Sequence, residues 1–304
     1  MFLDARLNRR SVFITGVAAT FAATRAATAQ DRPAIARWRH YADCRYGQIH
    51  VVSAAPEGSE KIPLVCLHQS PASGDYYREF QMVMAADRLV MCPDTPGYGG
   101  SDAPEKQPNV ADLADAMADA MDNLGYGTDG LGPVDWLGFH TGNYVIVELA
   151  IRRPDLVRRL VMPGIPYYPA GEREAKRKQF AQPRPYFTDA DYVGQLYKDT
   201  VFNRNDGETK QRLFDLFVER MRAGPNSWWG FDAVFRYDAD AALPKVNQPV
   251  LCPILNETLA EPTRQAAKLM PNAGTADLTD LTGAAWHNAP ERIAAVVRPF
   301  LDQG

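Results

Sequence analysis

The sequence is poor in cysteine and contains no block of basic residues. Its 304 residues include only four cysteines, whose spacing fits no metal-binding pattern: Cys44, Cys66, Cys92 and Cys252. Three of them lie in apolar, strand-like runs, where buried free thiols are usual, and we assign no catalytic role to any of the four. The formal net charge of −4 gives no electrostatic footprint for nucleic acid. We therefore expect a small-molecule substrate, no nucleic-acid partner, no metal and no cofactor.

The sequence also lacks an apolar run long enough to span a bilayer. Arg9 and Arg10 precede an alanine-rich run over residues 11–28, which Arg25 interrupts, and the small triplet Ala-Thr-Ala at 27–29 gives the pattern of a cleavage site. This resembles a twin-arginine export signal. An N-terminal helix or anchor is the alternative. We predict a signal over residues 1–29, its cleavage, a periplasmic or extracellular location, and no stable membrane association afterwards.

Strand-like and helix-like runs alternate along the rest of the chain, without internal repeats. This alternation is typical of a parallel sheet covered by helices on both faces, an α/β fold. Strands are predicted over residues 48–54, 62–67, 88–92, 134–137, 156–162 and 249–255, and helices over 110–124, 144–151 and 290–301.

The alternation of strand-like and helix-like runs stops between residues 163 and 246, a segment rich in charged and aromatic side chains. Helical segments at 192–200 and 209–223 have no strand between them. We predict a helical lid inserted into a single domain over residues 30–304. Most of its aromatic residues are expected to pack the lid onto the core, and some could line an apolar pocket.

Three motifs belong together. The sequence Gly-Phe-His-Thr-Gly at 138–142 lies between a predicted strand and a helix, where a sharp, strained turn requires small residues on either side of its centre. An apolar strand ends in His-Gln-Ser-Pro at 68–71, and Asp-Thr-Pro-Gly-Tyr-Gly-Gly-Ser occupies 94–101. With the runs at 156–161 and 290–301, these motifs resemble the α/β-hydrolase-fold superfamily over residues 46–302.

The resemblance implies a mostly parallel central sheet with helices on both sides, and it places His140 where the fold usually carries a serine, aspartate or cysteine nucleophile. It also implies an oxyanion hole formed by the backbone N–H groups of Gln69 and Thr141. Ser70 and Trp286, near these positions, are expected to line the substrate pocket.

The resemblance leaves the acid and base positions less well defined. The acid is expected just after the strand that follows the lid, which makes Glu257 the first candidate and Glu261 the second. A surface carboxylate is an equally open interpretation of either residue. The resemblance places the base in the loop before the last helix, where His287 is the only histidine, although it lies closer to Pro290 than the family spacing. His68 fits a structural role.

A histidine at the centre of the turn favours acid–base chemistry, because an acyl-imidazole hydrolyses readily. The helix that follows disfavours the imidazolium, so a neutral His140 is predicted. The hydroxyls of Ser70 and Thr141 are alternative nucleophiles. Fold alone does not fix the reaction.

Three functions therefore stay open. The first is hydrolysis of a small ester, lactone or related acyl compound, which we place first on the resemblance. The second is a lyase, isomerase or cyclase that uses His140 and His287 as acid and base. The third is a non-catalytic protein that binds a small molecule. The sequence carries no signal for oligomeric state.

Overall fold

The structure, a computed structural model, describes residues 34–204 and 207–303. The predicted export signal therefore lies outside the described residues. Within the described ranges, no helix is both long and apolar enough to cross a membrane.

Eight strands form one sheet. In chain order they are β1 (Ile35–Cys44), β2 (Gly47–Pro56), β3 (Lys61–Leu67), β4 (Arg88–Pro93), β5 (Val134–Gly138), β6 (Val157–Val161), β7 (Val250–Asn256) and β8 (Ala273–Thr282). Their spatial order is β1-β2-β4-β3-β5-β6-β7-β8. β2 runs antiparallel to both β1 and β4, and the remaining pairs are parallel. The central strand β5 is buried at every position, because helices cover both faces of the parallel part.

Helices lie on both faces of this sheet and in the segment between β6 and β7. They are α1 (Arg78–Met84), α2 (Val110–Asn123), α3 (Thr141–Arg152), α4 (Ala170–Phe180), α5 (Ala190–Tyr197), α6 (Lys210–Arg222), α7 (Trp229–Arg236), α8 (Ala239–Ala242), α9 (Ala260–Ala267), α10 (Ala285–Asn288) and α11 (Pro290–Leu301). One hydrophobic core lies under α2 and α3, and a second lies under α1 and α11.

The segment predicted as a lid contains helices α4 to α8 between β6 and β7, with no strand among its described residues. We call residues 163–246 the helical insertion. Apolar and polar contacts join the insertion to the rest of the domain, and Val234 and Leu243 belong to the core under α2 and α3. Arg212 of α6, for example, donates hydrogen bonds to the backbone oxygens of Asp75 and Tyr76, at 2.9 and 3.0 Å.

The architecture agrees with the expected α/β arrangement, and each predicted strand overlaps an observed one. The two outermost strands, β1 and β8, were not predicted. Cys66, Cys92 and Cys252 are buried free thiols, as their apolar surroundings indicated.

Candidate active site

His140 lies at the sharp turn between β5 and α3. Its backbone has φ 49° and ψ −107°, and no other non-glycine residue in the described part of the chain has a positive φ. A Cβ atom on Gly138 would lie 2.6 Å from the backbone nitrogen of Asn143, and one on Gly142 would lie 2.2 Å from the carbonyl oxygen of Leu67. The turn is therefore strained at His140 and needs glycine on both sides.

The imidazole of His140 pairs with Glu257, which immediately follows β7. The distance from Nε2 of His140 to Oε2 of Glu257 is 2.9 Å, and the two side chains are 29% and 14% exposed. No residue in the described ranges forms a hydrogen bond with Nδ1 of His140. Since a carboxylate accepts a hydrogen bond, we assign the proton to Nε2 and the free lone pair to Nδ1.

Of the two candidate carboxylates, Glu257 and Glu261, only Glu257 pairs with His140 in the described structure. Glu261 lies in the first turn of α9, where its Oε1 accepts a hydrogen bond from Gln265 at 3.4 Å. Glu257 is the one that the structure brings to the turn.

Gly164 packs directly against the His140–Glu257 pair. A Cβ atom at this position would lie 2.6 Å from both Oε1 of Glu257 and Cδ2 of His140, and the backbone φ is +62°. The bend after β6 therefore brings the backbone close to both side chains.

The expected oxyanion loop lies against the turn. The backbone N–H of Phe139 donates to the carbonyl of Leu67 at 3.1 Å, and the N–H of Ser70 donates to Oγ1 of Thr141 at 3.3 Å. No described residue accepts a hydrogen bond from the backbone N–H of Gln69 or Thr141. These two groups are therefore available to a bound molecule, as an oxyanion hole requires.

The Ser70 hydroxyl lies beside Tyr98 and Gly230. A Cβ atom on Gly230 would lie 2.1 Å from Oγ of Ser70 and 2.7 Å from the Tyr98 hydroxyl. No hydrogen bond joins the hydroxyl of Ser70 or Thr141 to His140 among residues 34–204 and 207–303. This arrangement gives no support to either hydroxyl as a nucleophile activated by His140.

His68 connects two loops below the turn. Its Nδ1–H donates to the carbonyl of Gln69 at 2.9 Å, and its Nε2 accepts from the backbone N–H of Thr95 at 3.0 Å. Burial lowers the pKa of His68, which favours the neutral ring that this pattern requires. His68 thus positions the oxyanion loop from below.

His287 forms its hydrogen bonds with groups other than His140 and Glu257. Its Nδ1 pairs with Oε1 of Glu208, and its Nε2 lies 2.9 Å from the carbonyl oxygen of Tyr76. The His287 and Glu208 side chains are each only 3% exposed. The structure therefore joins His287 to a glutamate of the helical insertion, which the sequence analysis did not single out.

Aromatic rings lie between the two histidines. The Tyr76 ring is 4.8 Å from that of His287 and stacks on Phe139 at 5.7 Å, and the Phe139 ring centre is 4.0 Å from that of His140. Burial raises the pKa of Tyr76 far above its ordinary value, and the charge of Glu257 adds to the effect. Tyr76 therefore stays a neutral phenol.

A family model for the alpha/beta hydrolase fold matches residues 62–231, more than half of the chain. The chain belongs to the alpha/beta hydrolase fold family. The predicted fold class is thereby confirmed.

Solved structures of this family show the same architecture. An esterase from Thermogutta terrifontis matches with a TM-score of 0.68 and 17% identity, over 87% of this chain and 98% of its own. An enol-lactonase from Burkholderia xenovorans LB400 matches with a TM-score of 0.68 and 18% identity, over 87% and 100%. The epoxide hydrolase CorEH matches with a TM-score of 0.66 and 19% identity, over 88% and 98%. At these identities the likeness concerns the fold.

The structure places Trp286 differently from the expectation for a pocket residue of an alpha/beta hydrolase. Its side chain has no exposed surface. It packs edge-on against Tyr77 and Phe80, at 5.3 and 5.1 Å between ring centres, and it lies 5.5 Å from the ring of Phe139. Trp286 supports the turn from the core, because its apolar ring fills the space under α1.

No group of three or more histidine, cysteine, aspartate or glutamate side chains in the described ranges is arranged to hold a metal ion.

Proposed function

We propose that this alpha/beta hydrolase cleaves a small ester, lactone or related acyl compound, with His140 as general base. One observation carries the proposal: Nε2 of His140 bonds Glu257 at 2.9 Å, while Nδ1 has no partner in the described structure. A base held in one tautomer by a carboxylate is the arrangement that general-base catalysis needs.

The proposed reaction uses water rather than a protein nucleophile. Nδ1 of His140 takes a proton from water, and the water oxygen attacks the carbonyl carbon of the substrate. The carbonyl π electrons move to its oxygen, which accepts hydrogen bonds from the backbone N–H groups of Gln69 and Thr141.

Collapse of the tetrahedral intermediate then breaks the bond to the leaving oxygen. The imidazolium of His140 returns the proton to that oxygen, so that a carboxylic acid and an alcohol are released. The Glu257 carboxylate stabilises the imidazolium between these two steps, because opposite charges 2.9 Å apart attract strongly at a partly buried site.

The position of His287 bears on the lyase or isomerase alternative. A second acid or base needs a ring nitrogen that can reach the substrate. Both ring nitrogens of His287 are engaged by Glu208 and Tyr76, so the structure favours a reaction with one imidazole. The solved esterase and lactonase structures of similar fold also support acyl hydrolysis.

An activity screen against ester, lactone and amide panels tests the proposal. We expect turnover by the mature protein and a loss of at least about 10²-fold in His140→Ala, the usual contribution of a general base. A fluorophosphonate probe should label no residue. Labelling of Ser70 or Thr141, or full activity in the His140→Ala variant, would contradict the proposed mechanism.

The same panel decides between catalysis and binding. Saturable uptake of a panel compound without product formation would favour the non-catalytic alternative.

We also propose export through the segment 1–29, from its Arg-Arg pair and alanine-rich run. Mass spectrometry of the secreted protein should find a new N-terminus near Gln30; an intact N-terminus would contradict export with cleavage.

A further inference from the structure

Helix α6 of the helical insertion carries an arginine on its buried face. Leu213, Leu216 and Phe217 recur at helical spacing, and the next position of this series is Arg220. Leu213 is 1% exposed, and Leu216 packs against the core under α1. A charged side chain therefore occupies a position where the pattern predicts an apolar one.

Arg220 has no acceptor in the described structure. It is half-buried, yet no described residue forms a hydrogen bond or an ion pair with its guanidinium group. Arg212 on the same helix shows the contrast, because it contacts the carbonyl oxygens of Asp75 and Tyr76 and lies 3.5 Å from the Asp75 carboxylate. The unpartnered nitrogens of this half-buried guanidinium remain accessible to solvent, so a bound anion can reach them.

The electrostatic surroundings of Arg220 are positive. Burial lowers its pKa, and the charges of Arg184 and Arg204 lower it further, against the opposite effect of Tyr186 and Tyr192. The Tyr186 and Tyr192 rings are 6.0 Å apart. The only hydrogen bond that Arg184 makes in the described ranges joins its Nη2 to the carbonyl of Phe180, at 3.0 Å.

The same helix docks beside the candidate active site. Arg212 contacts the backbone of Tyr76, whose ring stacks on Phe139, the neighbour of His140. Tyr186 links Arg220 to the same site: its charge acts on the pKa of Arg220 and on that of Tyr98, and the Tyr98 hydroxyl lies beside Ser70 of the oxyanion loop.

We propose that Arg220 binds a carboxylate of the substrate while the scissile carbonyl lies at His140. The inference rests on the proposed function and narrows the substrate to acyl compounds that carry a second, anionic end. The forked guanidinium matches the two oxygens of a carboxylate, and the positive charge of Arg184 adds to the attraction.

Paired substrates test the substrate class. We would measure kcat/KM for 4-nitrophenyl hydrogen glutarate and for neutral 4-nitrophenyl acetate, in the wild type, Arg220→Gln, Arg220→Lys and the control Arg222→Gln. Arg222 is an exposed arginine at the end of the same helix. We expect Arg220→Gln to lower kcat/KM for the glutarate ester at least about tenfold, as for loss of a charged hydrogen bond. The acetate ester should change less than about twofold, as should both esters in Arg222→Gln.

A binding measurement separates this inference from the proposed function. Free glutarate should raise the Tm of the wild type and of Arg222→Gln but not of Arg220→Gln, whatever the catalytic activity. Arg220→Lys should bind glutarate more weakly than the wild type. If Arg220→Gln fails to fold, the comparison of glutarate binding by Arg220→Lys and the wild type tests the inference instead. Equal glutarate binding by wild type and Arg220→Gln, or by wild type and Arg220→Lys in that case, would overturn the inference, as would a preference for inorganic phosphate. Absence of turnover with both esters, while glutarate binding still depends on Arg220, would defeat only the proposed function.

Discussion

Replacement of Gly164 by alanine should disturb the His140–Glu257 pair directly. The new Cβ atom would lie 2.6 Å from Oε1 of Glu257 and from Cδ2 of His140, so at least one side chain must move. The φ of +62° costs an alanine about 1–2 kcal/mol, and crowding of this kind typically adds about 1–3 kcal/mol. We expect a total loss of about 2–5 kcal/mol in the free energy of unfolding.

Gly58→Ala is the matched control. Gly58 has a similar φ of +70°, but a Cβ atom there would have no neighbour within 4 Å. It should therefore lose only the backbone contribution, about 1–2 kcal/mol, and keep full activity. Gly164→Ala should also lose about 10²-fold in kcat, since a displacement of about 1 Å has that effect on reacting groups. Urea denaturation and steady-state kinetics measure both quantities. Equal stability losses and unimpaired activity in Gly164→Ala would refute the account of this contact.

Three further substitutions probe the site. Glu257→Gln should lower kcat/KM by about 10²–10⁴-fold in steady-state assays, because the amide cannot stabilise the imidazolium; unchanged kinetics would exclude Glu257 from the reaction. Glu208→Ala should lower the free energy of unfolding by about 3–5 kcal/mol in urea, because it leaves buried His287 without its partner, and a loss below about 1 kcal/mol would argue against this pair. Burial lowers the pKa of His68, so its stabilising contribution is complete above about pH 6.5 and is lost as the pH falls towards the folded-state pKa. Between pH 7.5 and 5.5, His68→Gln should therefore lose less unfolding free energy than the wild type, and an equal loss in both would contradict this assignment.

The apolar strands and the turn could be predicted from sequence because their physical signals are local. Residues 134–137 are apolar except for Asp135, whose carboxylate pairs with Arg158 at 2.7 Å. The glycines at 138 and 142 report close backbone contacts that any side chain would prevent. Such requirements appear directly in the residue types.

The edge strands could not be predicted in the same way. β8 has only two buried residues, Leu278 and Leu281, because most of its side chains face solvent. β1 has a single fully buried position, Ala42, and depends on its pairing with β2. Strands with so little apolar surface are determined by their neighbours in the sheet.

The partner of His287 illustrates a similar limit at the candidate site. Glu208 is 79 residues away in sequence and comes from the helical insertion, so no local pattern connects the two residues. The histidine could be identified as a candidate from its place before the last helix. Its engagement with Glu208 and Tyr76 depends on how the insertion packs.

Chemical rescue of His140→Ala tests the central claim most directly. We expect the variant to fold like the wild type and to lose activity at least about 10²-fold against an ester that the wild type cleaves. Added imidazole should restore part of that activity in proportion to its neutral fraction, because the missing group is a neutral base. Activity equal to that of the wild type without imidazole would contradict the assignment of His140 as the general base.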